Sequence, residues 1–106
     1  MKLKWDKEAR QLVDATAQYI EEHDGAIAGA DFLEEVMHVV RLLPLVPYLG
    51  PLERLLYRSK VKFRSIVICK YNKLIYYVRQ DEVVIVDFWD TRMNPKTLVK
   101  RLQNKF

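Results

Sequence analysis

The stretch that decides the fold runs from residue 63 to residue 89 and reads FRSIVICKYNKLIYYVRQDEVVIVDFW. Three segments of it, Phe63–Cys69, Lys73–Val78 and Val83–Trp89, are rich in the Val, Ile, Tyr and Phe residues that favour β-strands. Short links at 70–72 and 79–82 separate these segments, and links of that length join antiparallel neighbours. The stretch therefore predicts a three-stranded antiparallel meander.

Helical spacing replaces this pattern in the first half of the chain. Apolar residues recur every three or four positions over 7–23, which predicts a helix with Asp6 as its N-cap and Gly25 as its stop. A broad apolar stripe over 27–43 predicts a second helix. Pro44 ends it, because a proline disfavours helical backbone at the residue before it.

Two short elements complete the predicted order. Lys2–Trp5 alternates weakly and predicts a first strand, and 43–52, with its three prolines and a glycine, predicts a loop. Asn94 followed by proline is typical of a helix start, so a last helix is expected over 95–103. The order β-α-α-β-β-β-α predicts an α+β fold, a helical hairpin packed on one face of a small antiparallel β-sheet. We expect the other face to be open to solvent or to a partner.

Composition restricts the class of protein. The chain has 106 residues, 50% of them hydrophobic and 30% charged, which predicts one globular domain over 1–106. No apolar run reaches the roughly 18 residues of a membrane helix, and the N-terminus has no signal-peptide pattern. Cys69, the single cysteine, excludes an intrachain disulfide, favours a cytoplasmic location, and is expected to be a small buried residue within its strand. His23 and His38 lack partners at metal-binding spacing, so no metal is expected. There is no glycine-rich phosphate loop, and neither a cofactor nor a small-molecule ligand is expected.

Charge divides the chain into two unlike halves. Residues 1–53 hold 5 Lys/Arg and 10 Asp/Glu, whereas residues 54–106 hold 13 and 4, so that the halves carry −5 and +9. From Arg54 to Gln80 there is no acidic residue. Such a concentration of positive charge attracts polyanions, either nucleic acid or an acidic protein segment. Tyrosines interleaved with these cations can stack on bases, although tyrosine is also an ordinary strand former.

The segments 63–78 and 83–95 resemble the core of the RelE/ParE superfamily of toxins from type II toxin–antitoxin systems, the plasmid-stabilisation type of protein. The resemblance rests on the Tyr- and Val-rich strand, the apolar strand that leads into Trp89-Asp-Thr-Arg92, the amphipathic helix pair and the Pro-Gly loop 44–51. It covers nearly the whole chain. It implies the helical-hairpin and sheet fold, and a cognate acidic antitoxin as partner.

The resemblance leaves two activities open. RelE-like members cut mRNA at the ribosome without a metal, and ParE-like members poison DNA gyrase. Aligned to the RelE-like pattern, Arg64, Lys73 and Arg92 fall on the catalytic positions. Ile66 replaces a second basic residue, however, and no tyrosine lies near Leu98. Because loss of a proton-transfer group removes about 10²–10⁴ in rate, the sequence leans towards the ParE-like activity.

Further residues are predicted to bind nucleic acid or the target through charge and stacking. They are Arg58, Lys60, Lys62, Lys70, Tyr71 and Tyr77. We expect the cations of the second half to share one surface, and Arg64 and Lys73 to lie on an exposed sheet face. Asp87 and Asp90 are expected to pair with Arg64 or Arg92, and Arg92 then has the alternative role of holding the last helix through Asp90. The alternative function is an inert nucleic-acid- or protein-binding module on the same scaffold.

Overall fold

The computed structural model describes all residues from Met1 to Phe106. Its elements are β1 (Lys2–Trp5), α1 (Lys7–Asp24), α2 (Ala26–Leu42), a 3₁₀ helix (Arg54–Leu56), β2 (Arg64–Ile68), β3 (Asn72–Arg79), β4 (Glu82–Asp90) and α3 (Pro95–Lys105). The α+β fold and the predicted order of strands and α-helices are confirmed. The 3₁₀ helix was not predicted, because three residues are too few to show a periodicity. No helix combines the length and the apolar character needed to cross a membrane.

The predicted helix boundaries follow from local capping. The Asp6 carboxylate accepts a hydrogen bond from the backbone N–H of Glu8 at 2.9 Å and so begins α1. Gly25 has a φ of 99°, a conformation that costs glycine little, and it alone joins α1 to α2. In α3, the Asn94 side chain accepts from the Lys96 N–H, and Pro95 occupies the first turn.

The sheet has the order β1-β4-β3-β2. β2, β3 and β4 form the predicted antiparallel meander, with Arg64 opposite Tyr76 and Lys73 opposite Trp89. β1 pairs with β4 in parallel, Lys2 opposite Glu82, so the complete sheet is mixed. The sequence of a four-residue strand does not specify which edge it joins, because any edge offers the same backbone groups.

Both faces of the sheet are covered, and the expectation of an open second face is wrong. The first core lies between the sheet and the α1–α2 hairpin; its buried residues include Val13, Phe32, Val36, Leu74, Tyr76, Ile85 and Phe88. The second core lies under the 3₁₀ helix and α3, and its buried residues are Leu56, Phe63, Ile75, Val84, Val86, Trp89, Leu98 and Leu102. In β3 and β4, residues that point to either face of the sheet are apolar. Both faces therefore have apolar surface to bury.

Gly50 holds the loop after α2 against the edge of the sheet. Its N–H donates to the Tyr76 hydroxyl at 2.8 Å, and its carbonyl accepts from Arg64 Nη1 at 2.9 Å. A Cβ at this position would lie 2.5 Å from the backbone oxygen of Ser65. Only glycine allows so close an approach of two backbone segments.

Gly50→Ala is therefore expected to lower the free energy of unfolding by about 1–3 kcal/mol, because backbone atoms must shift to admit the methyl group. Urea denaturation followed by circular dichroism measures the change. Gly25→Ala is not a suitable control, because Gly25 has a positive φ. Ala28→Gly is the comparison, because it changes one methyl group at a half-buried helix position and creates no clash. An unchanged midpoint for Gly50→Ala would contradict the close approach.

Candidate functional site

The three cations at the catalytic positions of the resemblance do not converge. Arg64 alternates with Ile66 and Ile68 along β2 and therefore lies on the side of the first core. Lys73 is opposite Trp89 and alternates with Ile75, which puts it on the side of the second core. The sheet thus separates Arg64 from Lys73, and the expectation of one shared cationic surface is wrong for this pair.

Arg64 lies against the loop that follows α2. Its guanidinium donates to the Gly50 carbonyl, and its Cζ is 4.8 Å from the centre of the Tyr48 ring. Tyr48 is exposed, so the ring covers one face of the guanidinium from outside. These contacts give Arg64 a role in fixing the loop, beside any role towards a target.

Lys73 belongs to an internal polar network. Its Nζ lies 2.6 Å from Oε1 of Glu53, whose side chain is only 2% exposed. The same carboxylate accepts from Ser65 Oγ and from the Leu55 N–H, both at 3.0 Å. Burial opposes the ionisation of Glu53, but the hydrogen bonds from Lys73, Leu55 and Ser65 outweigh it and hold the pKa of Glu53 below its ordinary value. Lys73 is therefore engaged in holding the 3₁₀ segment to the sheet.

Arg92 forms a cluster with Asp90 and Tyr71 at the end of β4. Its Nη2 and Nε lie 2.8 and 3.1 Å from the two Asp90 oxygens, and its Cζ is 4.4 Å from the centre of the Tyr71 ring. These hydrogen bonds hold the pKa of Asp90 below its ordinary value. Lys70 Nζ lies 5.1 Å from the same ring. Of the predicted residues, the structure brings Lys70, Tyr71 and Arg92 together, and the Arg92 side chain is 63% exposed. The expected pairing of Asp90 with Arg92 is confirmed.

This turn cluster (Lys70, Tyr71, Asp90, Arg92) borders a groove. The groove has a volume of about 690 Å³ and lies between α1 and the ends of β2 and β4. Tyr71 and Thr91 are joined by two hydrogen bonds, from the Thr91 N–H and hydroxyl to the Tyr71 carbonyl at 2.7 and 2.9 Å. The turn after β2 is thus fixed to the end of β4, and its basic and aromatic side chains are presented as one unit.

The remaining predicted binding residues lie elsewhere. Arg58, Lys60 and Lys62 are exposed in the segment after the 3₁₀ helix, and Arg58 Nε donates to the Tyr57 hydroxyl at 2.9 Å. Tyr77 is half-buried and packs edge-on against Phe63 and Phe106, with ring centres 6.0 and 5.6 Å away. Tyr77 therefore contributes to the second core, which the periodicity of β3 alone did not indicate.

Asp87 pairs with neither Arg64 nor Arg92, so that expectation is wrong. Its buried carboxylate accepts from Arg101 of α3 at 2.9 Å. Burial outweighs the attraction of this guanidinium and raises the pKa of Asp87. Lys105, one turn further along α3, lies 3.2 Å from both Asp6 and Glu8. These contacts attach α3 to β4 and to the start of α1, and sequence spacing alone could not find them.

Cys69 does not lie within a strand as expected. It follows β2 with a φ of 52°, in a turn that also contains Lys70 with a φ of 72°. Its thiol donates to Oε2 of Glu35 at 2.9 Å. Partial burial, and then this carboxylate, raise the pKa of the thiol to about 12. Cys69 is thus half-buried and joined to α2, with no thiolate at neutral pH.

Known protein families include one whose sequence pattern this chain matches. The family model described as the ParE toxin of the type II toxin–antitoxin system parDE matches residues 3–95. The chain belongs to the ParE toxin family. The match extends from β1 to the first residue of α3, and so includes both the helical hairpin and the turn cluster.

A solved structure supports the fold assignment. It is described as the chromosomal ParDE toxin–antitoxin system from P. aeruginosa, and it superposes with a TM-score of 0.70 over 85% of this chain and 95% of the other. The sequence identity is 18%, so this likeness concerns the fold. No curated protein matches the chain. Family and fold agree with the resemblance read from the strands and the Trp89–Arg92 segment.

Proposed function

We propose that this ParE-family chain is a cytoplasmic toxin that acts on DNA gyrase, and that a cognate acidic antitoxin neutralises it. The observation that carries the choice of target is the position of Arg64 and Lys73 on opposite faces of the sheet. Cleavage of RNA by its own 2′-hydroxyl requires groups that move protons and neutralise the phosphorane to meet at one phosphate. Groups on opposite faces of a sheet cannot do so.

The state of Lys73 supports the same choice. A lysine that acts on a phosphate must be free to reach it, and the Lys73 ammonium is instead held 2.6 Å from the buried Glu53 carboxylate of the same chain. Arg92 remains accessible beside Tyr71, and we propose the turn cluster as the contact with the target. A cation–aromatic cluster on an exposed turn suits a protein or nucleic-acid surface of negative charge.

Induced expression in bacterial cells tests the target. We expect growth arrest with a DNA-damage response, and inhibition of supercoiling when purified protein is added to purified gyrase. Arg92→Ala is expected to reduce this inhibition at least about tenfold, the size of effect found when an interface arginine is truncated. Arg41→Ala, an exposed arginine on α2 paired with Glu34, is the matched control and should retain activity.

Three results would contradict the proposal. Cleaved mRNA with intact DNA and normal supercoiling would indicate the RelE-like activity. Normal growth in the absence of any partner protein would indicate the inert binding module. Full gyrase inhibition by a folded protein that carries both Arg64→Ala and Arg92→Ala would exclude the turn cluster as the target contact.

A further inference from the structure

The turn between β2 and β3 has an unfavourable backbone conformation and contains no glycine. Cys69 and Lys70 are consecutive residues with φ of 52° and 72°. In this left-handed region the Cβ of an ordinary residue crowds the backbone, so that glycine or asparagine usually occupies such positions. Other residues keep this conformation only where neighbouring contacts hold them in it, and they occur often at functional sites. The turn therefore depends on contacts with other parts of the chain.

Two residues from other elements hold this turn. Thr91, after β4, donates two hydrogen bonds to the Tyr71 carbonyl. Glu35, on α2, accepts from both donors of Cys69: the backbone N–H lies 3.2 Å from Oε1, and the thiol lies 2.9 Å from Oε2. These two hydrogen bonds lower the pKa of Glu35, so the acceptor is a carboxylate at neutral pH. One side chain thus fixes both the backbone and the side chain of Cys69.

The contact between Glu35 and Cys69 directs the residues that follow it. Glu35 takes part in none of the ion pairs within the chain, although it is exposed. Lys70 and Tyr71, which come directly after Cys69, belong to the turn cluster, and the Tyr71 ring centre lies 4.4 Å from Cζ of Arg92. Because a change of φ at one residue redirects the chain after it, the conformation of Cys69 determines where the Tyr71 ring lies.

We propose that Glu35 is a positioning residue for the turn cluster: its carboxylate holds Cys69 in the left-handed conformation and so keeps Tyr71 against Arg92. This inference rests on the proposed action through the turn cluster and adds a residue of α2 on which that action depends. Glu35 acts through Cys69 and does not itself contact the target. Since glycine adopts a positive φ at little cost, Cys69→Gly should make the turn independent of Glu35.

The reactivity of the thiol tests the contact in the absence of any target. Cys69 is the single cysteine, and partial burial, followed by Glu35, raises its pKa to about 12. Glu35→Ala is expected to speed its reaction with the disulfide reagent DTNB at pH 8 at least about threefold, because the thiolate reacts and a nearby carboxylate disfavours it. Glu34→Ala removes the adjacent glutamate, which pairs with Arg41, and is the matched control that should react like the parent.

Nuclear magnetic resonance tests the position of the ring. The Tyr71 ring over the Arg92 guanidinium should shift the Arg92 Nε–H resonance upfield, and Tyr71→Ala defines the position of this resonance without the ring. Glu35→Ala is expected to lose at least half of this shift. The control Glu34→Ala and the double variant Glu35→Ala with Cys69→Gly should keep it.

Inhibition of gyrase measures the consequence for activity. Glu35→Ala is expected to weaken inhibition about three- to tenfold, because a residue that acts through another modulates the contact without making it. The urea midpoint should stay close to that of the parent, since Glu35 is exposed. Glu35→Gln, whose amide oxygen still accepts from the Cys69 N–H, should retain more than half of the activity. The double variant Glu35→Ala with Cys69→Gly should inhibit within about twofold of the parent, a non-additive result that identifies the two residues as one unit.

Four results would overturn the positioning role. An unchanged thiol rate in Glu35→Ala would exclude the contact with Cys69, and an unchanged Arg92 resonance would exclude its effect on Tyr71. Parental inhibition by Glu35→Ala would show that activity does not need this arrangement. Equal loss of inhibition in Glu35→Ala and the double variant would mean that Glu35 contacts the target itself. If the parent does not inhibit gyrase, the proposed target fails, whereas the thiol and resonance measurements still decide whether Glu35 positions the turn cluster.

Discussion

Lys73→Met is expected to lower the free energy of unfolding by about 3 kcal/mol, the low end of the range for removing one partner of a buried ion pair. Glu53 would keep its buried charge and lose the donor at 2.6 Å. The Lys73 side chain is 26% exposed, so water replaces part of the lost interaction. Urea denaturation at pH 7 measures the change, and Lys70→Met, an exposed lysine in the adjacent turn, is the control with little expected effect.

The loss should also depend on pH in a defined direction. In the parent protein the pKa of Glu53 lies below its ordinary value of 4.5. Its contribution to stability is therefore present above that value and is lost as the pH falls through the lowered folded-state pKa. Without Lys73, less opposes the effect of burial, and the pKa of Glu53 in the folded state rises relative to that in the parent. The difference between parent and variant should therefore be largest at neutral pH and should shrink as the pH falls towards 4.

A double variant distinguishes structure from chemistry at this position. Glu53→Gln with Lys73→Met removes the buried charge along with its partner. The glutamine oxygen can still accept from the Leu55 N–H, and its amide N–H₂ can donate to the Ser65 hydroxyl, which accepts. We expect it to recover at least half of the lost stability. We also expect it to inhibit gyrase like the parent. A stable double variant with no activity would instead mean that Lys73 contacts the target.

Much of the fold could be predicted because it is encoded locally. The apolar spacing of α1 and α2, the caps at Asp6 and Asn94, and the alternation in the strands each depend on a few neighbouring residues. The pairing of β1 and the covering of the second face are not local. The pairing of β1 depends on which edge of the sheet it reaches. The covering of the second face depends on how α3 returns to β4, which Arg101 and Asp87 secure across 14 residues. A single sequence carries no signal for such contacts.

The site shows the same division. The predicted meander puts the turn after β2 and the end of β4 at one end of the sheet, but the register that sets Asn72 opposite Asp90, and so brings Tyr71 to Arg92, could not be predicted. The capture of Lys73 by Glu53 could not be predicted either, because Glu53 lies in a loop whose path was unknown. Alternation along a strand puts Lys73 and Ile75 on the same face of the sheet. It could not tell that this face would be covered by the 3₁₀ helix and α3.

Trp89→Ala is expected to lower the free energy of unfolding by about 3–5 kcal/mol, the largest effect of a single substitution that we anticipate. Trp89 is 2% exposed in the second core, opposite Lys73 on β3. The Arg101 guanidinium lies over its ring, with Cζ 5.5 Å from the ring centre, and also holds Asp87. Removing the indole therefore creates a cavity. It also removes the ring against which the guanidinium of the Arg101–Asp87 ion pair packs.

Trp89→Phe is the matched control, because it keeps an aromatic ring in the core. Urea midpoints and gyrase inhibition are measured for both variants. We expect Trp89→Ala to lose both stability and activity and Trp89→Phe to retain most of each. A Trp89→Phe protein as stable as the parent but without activity would mean that the indole contacts the target. Because the indole is buried and Arg92, three residues later, is exposed, the Trp-Asp-Thr-Arg segment combines a core anchor with a surface contact. Substitutions at its two ends should therefore separate stability from activity.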